Sequence, residues 1–308
     1  MTDVRYSAFA REARGVSPAY EALARGVAGD AELIALIDRL PEARRQPNLL
    51  FGSVRLLGGP VDSWAGFRAF VVERWDAVAL QMRARITQTN EAGRCAVLLP
   101  VLASLPQPLA LLEVGASAGL CLYPDRYSYR YGPYVLGDGV PVLDCVSDLL
   151  PSRLPDVVWR AGIDLNPLDV RSPADLAWLD ALIWPEHEHR RTRLRAAAAV
   201  AAADPPLLVR GDLVEALPSL AARAPAGATL VVFHTSVLYL VPPEPRAAFV
   251  SLVRSLPGHW ISNEAPDVLP PATPVGAPPD GHHNLLALDG RPIAWTRGHG
   301  QGMTAVRG

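Results

Sequence analysis

Apolar positions recur at helical spacing through the first hundred residues of the chain. Over 20–40 they form a stripe that Pro41 ends. Over 64–86 the residues Phe67, Phe70, Val71, Trp75, Val78, Leu80 and Met82 fall on one broad apolar face. A third helix is expected over 91–105, stopping before Pro106 and Pro108. No period-two alternation interrupts this block, which predicts an N-terminal helical cap over 1–108.

From about Leu109 the pattern changes to short apolar runs separated by helical stretches. Strands are expected over 110–114, 157–164, 206–211, 229–234 and 260–263, and helices over 117–122, 173–183, 190–203, 213–223 and 243–256. Strand and helix in alternation predict an α/β fold, a doubly wound, mostly parallel sheet over 109–308. In the tail, Asp289-Gly290 lies between the apolar runs 285–288 and 292–296, which signals a closing antiparallel hairpin. Two segments read as insertions. Residues 123–143 carry a Tyr-Ser-Tyr-Arg-Tyr alternation and Gly137-Asp138-Gly139, again hairpin-like. Residues 265–283 are rich in Pro and Gly and read as a mobile surface loop.

The first strand runs into Leu111-Leu112-Glu113-Val114-Gly115-Ala116-Ser117-Ala118-Gly119. Gly115 permits a tight turn, and Gly119 lets a following helix approach the loop. Such a joint is expected to present backbone N–H groups and a positive helix end to a ligand. In an open parallel sheet, ligands bind outside the carboxyl ends of the strands. Those ends bear Glu113, Asp164, Asp212, His234, Asn263 and Glu264. Asp164 is placed to accept both hydroxyls of a ribose, or else to cap a helix near Pro167. Asp212 is placed to accept an adenine amino group, or else to cap 213–223. His234, at the end of a very apolar strand, is either a general base or a satisfied core residue. Gln88-Thr89-Asn90-Glu91 with Arg94 is a dense polar cluster that either caps the third helix or roofs the site.

Composition narrows the chemistry. Half of the 308 residues are apolar, enough for a large core, and the net charge of −2 gives no general pull toward nucleic acid or an anionic membrane. All 29 basic residues are arginine. Without lysine there is no Schiff base, pyridoxal-phosphate anchor or phosphate-loop lysine. Cys95, Cys121 and Cys145 form no CxxC pair, the N-terminus opens no signal-like run, and no apolar stretch reaches membrane-spanning length. The expectation is a reduced, soluble, cytoplasmic protein. His187 and His189 lie in a short polar connector without a distant third ligand, so no metal site is expected. His282-His283 and Cys121 read as surface and core residues.

On these residues the core resembles the class I S-adenosylmethionine-dependent methyltransferases. Glu113-Val114-Gly115-Ala116-Ser117-Ala118-Gly119 is similar to their first motif, with Ser117 where a middle glycine is usual. Asp164 resembles their ribose acid and Asp212 their adenine contact. Asp164 follows at a greater distance than the roughly 20 residues usual for such an acid, and the insertion 123–143 would account for the excess. The whole chain also resembles the bacterial family called domain of unknown function 2332, through 88–94, 112–120, 162–170, Trp184-Pro185 and Ser262-Asn263-Glu264. The resemblance implies S-adenosylmethionine as cofactor, held by Glu113, Gly115, Ser117, Gly119, Asp164 and Asp212. It implies an unidentified small-molecule acceptor beside Asn90, Glu91, Arg94 and Asn263, with His234 or Glu264 taking the proton. The alternative is a non-enzymatic binding or regulatory module that retains the fold. GxxxG in place of GxGxxG argues against a nicotinamide enzyme, and the lack of a GxSxG elbow argues against a hydrolase.

Overall fold

The computed structural model describes residues 1–271 and 273–306. In chain order the elements begin with helices α1 (Thr2–Ala13), α2 (Pro18–Gly29), α3 (Ala31–Ile37), α4 (Pro47–Leu56), α5 (Trp64–Glu73), α6 (Trp75–Ala84) and α7 (Cys95–Ser104). Strands β1 (Leu109–Val114), β2 (Ser128–Tyr131), β3 (Tyr134–Leu136), β4 (Val142–Asp144), β5 (Val146–Ser147) and β6 (Val157–Asp164) follow. Next come α8 (Pro173–Leu182), α9 (Glu188–Ala203), β7 (Leu207–Arg210), α10 (Leu213–Ala221), β8 (Thr229–Thr235), α11 (Pro243–Ser255) and β9 (His259–Glu264). The described chain closes with β10 (Asn284–Leu288), β11 (Arg291–Thr296) and β12 (Gly302–Ala305). No helix among the described residues is long and apolar enough to cross a membrane.

The chain forms two compact units. One comprises Met1–Thr89 with Arg171–Thr192, the other Asn90–Val170 with Arg193–Gly308. The division differs from the expected boundary at 108. The 3-10 turn Ala92–Arg94 and α7 fall in the second unit, where Arg94 Nη1 donates to Thr235 O of β8 (2.9 Å) and Tyr131 Oη of β2 donates to Ala96 O of α7 (2.6 Å).

The first unit is helical and built on aromatic packing. Phe9, Tyr20, Phe51 and Trp184 surround one another, with ring centroids 4.7 Å apart for Tyr20 and Phe51 and 5.4 Å for Phe9 and Trp184. Trp184 Nε1 donates to Asn48 Oδ1 (3.0 Å), and Glu186 accepts from Ser17 Oγ (2.6 Å) and Ala19 N (3.0 Å). Trp184-Pro185-Glu186 is therefore a staple within this unit. His187 stacks on the Trp184 ring. Two expected long helices are each broken in two. Asp30 leaves helical geometry at φ −105 and caps α3 by accepting Leu33 N (2.9 Å), and Arg74 at φ −111 separates α5 from α6. Leu80, assigned to the apolar stripe, is 61% exposed.

The second unit holds a nine-stranded sheet of order β5-β12-β11-β10-β9-β8-β1-β6-β7. From β9 to β7 every pair is parallel, and β9 through β12 continue as an antiparallel meander. All six residues of β1 are buried, as a central parallel strand requires. One face of the sheet packs Leu112, Val114, Ile163 and Val232 against Leu217 and Leu220 of α10 and Phe249 and Val253 of α11. Each such side chain contributes roughly 1.5–3 kcal/mol on burial. The insertion folds as a separate three-stranded sheet, β3-β2-β4. The Pro-rich segment after β9 is not detached from the core, since Val268 and Leu269 pack against this same cluster.

Chain order places a topological switch between β1 and β8. From β1 the chain moves outward to β6 and β7, then crosses back to β8 and β9 on the other side. A crevice at such a reversal, outside the carboxyl ends, is where open sheets bind ligands.

Candidate functional site

The loop after β1 sits at this reversal. Gly115, Ser117 and Gly119 all take left-handed conformations, at φ 71, 52 and 71. Three such residues in five prevent a helix from starting at Ser117, so the helix expected over 117–122 is replaced by one 3-10 turn, Leu120–Leu122. No helix terminus faces the crevice from this joint.

The loop donors also turn inward, contrary to the expectation that they face a ligand. Gly115 N–H and Ala116 N–H donate to Ile163 O (2.8 and 3.1 Å), and Gly119 N–H donates to Ala116 O (2.6 Å). Ser117 N–H donates to Asp164 Oδ2 (2.7 Å), while Asp164 Oδ1 accepts Asn166 N–H (2.7 Å). Asp164 thus pins the loop to the end of β6. Asn90 braces the other side, donating from Nδ2 to Ala116 O (2.9 Å) and accepting Leu120 N–H at Oδ1 (3.2 Å). Val237 lies against Gly115, where a Cβ would come within 2.5 Å of it.

Beneath the loop is a buried set of polar groups. Glu113 is 3% exposed, and its Oε2 has no hydrogen-bond partner among the described residues. Desolvation, followed by the neighbouring Cys121 thiol, pushes the Glu113 carboxyl well above its usual range, against the pull of Arg94. Ser117 Oγ is likewise buried without a partner among the described residues. Arg94 is spent on the backbone and hydroxyl of Thr235 (2.9 and 3.2 Å) and on Gly298 O (3.0 Å). Glu91 accepts Gly93 N–H (3.0 Å) and pairs with Arg193 Nε (2.6 Å). Asn263 Oδ1 accepts from Thr296 (2.7 Å). Asn90, Glu91, Arg94 and Asn263, expected to touch a substrate, each have protein partners. Arg193 and Thr235 were invisible as site residues because nothing local in the sequence marks their partners.

His234 does not have the freedom of a general base. The ring is fully buried between Phe249 and Trp260. Trp260 Nε1 lies 3.0 Å from His234 Nε2, and His234 Nδ1 lies 2.7 Å from Glu264 Oε1. An indole N–H only donates, so Nε2 accepts and Nδ1 carries the proton that bonds Glu264. Glu264 Oε1 also accepts Val237 N–H (2.9 Å) and Leu238 N–H (3.2 Å). Its Oε2 has no partner among the described residues, and the side chain lines a cavity of about 80 Å³. Asp212 caps α10, its Oδ1 accepting Val214 N–H at 2.7 Å.

These observations define a mixed α/β protein with a large, mostly parallel sheet whose chain reversal carries an internally braced glycine loop. The chain belongs to the family described as uncharacterized protein conserved in bacteria (DUF2332), which matches residues 3–304. No curated protein matches it.

Proposed function

We propose that the chain is an S-adenosylmethionine-dependent methyltransferase acting on a small-molecule oxygen or nitrogen nucleophile. The observation that carries this reading is the chain reversal between β1 and β8, flanked by the glycine loop and by Asp164 at the tip of β6. Two orphaned polar atoms at the loop, Glu113 Oε2 and Ser117 Oγ, fit a cofactor whose polar groups would satisfy them. Gly115, Ser117 and Gly119 would shape the loop around it. Asp164 would hold the ribose. Asp212 has an Oδ2 without a partner among the described residues, which would accept the adenine amino group. The cofactor, when bound, supplies a methyl group on a sulfonium centre. The protein's part is to align the nucleophile and exclude water. Glu264 would take the nucleophile's proton at Oε2, and His234 is a positioning residue that holds Oε1.

Isothermal calorimetry with S-adenosylmethionine and S-adenosylhomocysteine tests the reading. Micromolar binding of either is expected, weakened at least tenfold in Asp164→Ala, with thermal melts confirming that the variant folds. Absence of binding by both to folded wild-type protein overturns it.

A second reading, a non-enzymatic module that retains the fold, is favoured by one observation. The N–H groups of residues 115, 116, 117, 119 and 120 are all engaged within the protein, which suits a loop built for rigidity. That reading expects no heat from either cofactor form.

A further inference from the structure

We propose that the space between α11, the segment following β9 and one face of β9 and β10 is a binding site for a small molecule carrying both an amine and a carboxylate. The cavity of about 80 Å³ is walled by Trp260, Ser262 and Glu264, which alternate onto one face of β9. Leu285 and Ala287 of β10 stand opposite Glu264 and Ser262 on that face. A groove between α11 and residues 267–270 meets the cavity at Arg254, Leu269 and Pro270. The walls are mainly apolar with a few convergent polar groups, the usual makeup of a small-molecule pocket.

Its polar groups are uncommitted and of opposite sign. The Arg254 guanidinium lies over the Trp260 ring, 5.6 Å from the centroid, and has no hydrogen bond or ion pair among the described residues. Gly290 makes room for it, since a Cβ there would come within 3.1 Å of Arg254 Nη2. A stacked, unpaired guanidinium at a pocket mouth suits a carboxylate, which it binds in a planar, two-point manner. At the floor, Glu264 has Oε1 saturated by three donors and Oε2 unpartnered among the described residues, beside the Ser262 hydroxyl. A carboxylate so held accepts from an ammonium. The floor volume suits a short amine-bearing stem and excludes a nucleoside. As a binding site this pocket stands independently of the cofactor; as the seat of the methyl acceptor it rests on the reading above.

The test is a chain-length series of ω-amino carboxylates, from glycine to 6-aminohexanoate, each beside the carboxylic acid lacking the amine. Binding to the full chain is measured by calorimetry without S-adenosylmethionine. One length is expected to bind at least tenfold tighter than its amine-free counterpart, with a tenfold loss in Arg254→Gln and in Glu264→Gln. The exposed Arg254 can be replaced without disturbing the core, so that variant decides the matter if Glu264→Gln does not fold. Equal binding of amine and amine-free compounds at every length, or full affinity in Arg254→Gln, overturns the proposal. Because no cofactor is present, a negative result leaves the methyltransferase reading intact, and failure of S-adenosylmethionine to bind leaves this one intact.

Discussion

His234 Nδ1 lies 2.7 Å from Glu264 Oε1, joining the ends of β8 and β9 through two fully buried side chains. With Trp260 donating to the other ring nitrogen, the imidazole is a connector whose lone pair and proton are both spent.

The neutral ring is therefore expected to carry its proton on Nδ1. Long-range ¹⁵N correlation spectra at neutral pH should show Nε2 as the acceptor-type nitrogen. A protonated Nε2 would remove the Trp260 bond and, with it, the fixed orientation assigned to Glu264. His234→Ala leaves a cavity and the buried Trp260 Nε1–H without a partner, at a cost of roughly 3–5 kcal/mol by urea unfolding.

Gly162 of β6 has no room for a side chain, because a Cβ would come within 2.5 Å of the Ala116 methyl and 2.9 Å of Leu208. Gly162→Val is expected to push the loop off the strand and cost about 1–3 kcal/mol by overpacking. Hydrogen exchange gives the specific reading. The Gly115 and Ala116 amides, which donate to Ile163 O, should lose protection before the centre of β1 does. Unchanged protection would show that the loop is held from elsewhere.

The elements that position the site were readable because their signals are local. Residues 157–164 are mostly apolar, interrupted by Arg160, and the strand occupies those residues in the structure, buried from Arg160 to Ile163. Asp289-Gly290 turns β10 into β11 for an equally local reason, both residues having positive φ. The loop differs from the expected helix because the residue types between Gly115 and Leu122 permit one, and only the left-handed geometry of Gly115, Ser117 and Gly119 in the completed fold forbids it. α1 and α4 have no clear stripe in the sequence, the first because its polar residues blur it and the second because Leu49 to Val54 is one unbroken buried run without helical spacing. Asn90, Glu91 and Arg94 stood out as a polar cluster, yet their duties were not legible. Their partners Leu120, Arg193 and Gly298 are brought to them only by the completed fold.

Glu91 and Arg193 form a charge pair with the carboxylate 4% exposed and the guanidinium 15% exposed. Removing one member strands a buried charge, which costs more than removing both. Arg193→Met is expected to lose roughly 3 kcal/mol in denaturant unfolding. Adding Glu91→Gln should restore most of that loss, since the stranded charge is gone. If the double variant is no more stable than the single one, lost packing of the Arg193 stem, and not the charge, sets the cost.

Glu113 gives the fold a pH dependence of definite sign. Its carboxyl is buried beneath the loop, and desolvation is the leading cause of its upward shift. A folded-state pKa above the unfolded value means that the group's contribution is fully present below the ordinary carboxylate range. It is lost as pH rises from there toward the folded pKa, because the unfolded chain can ionise and the folded chain resists. Glu113→Gln keeps the shape and removes the titration. Relative to that variant, the wild-type protein should lose about 1.4 kcal/mol per pH unit over the window between the two pKa values. Urea unfolding of both proteins at pH 4, 5, 6 and 7 measures it. A difference that stays constant across the series would mean that Glu113 is ionised in the folded state, compensated by Arg94, and that its orphaned oxygen is not the acid of a neutral carboxyl.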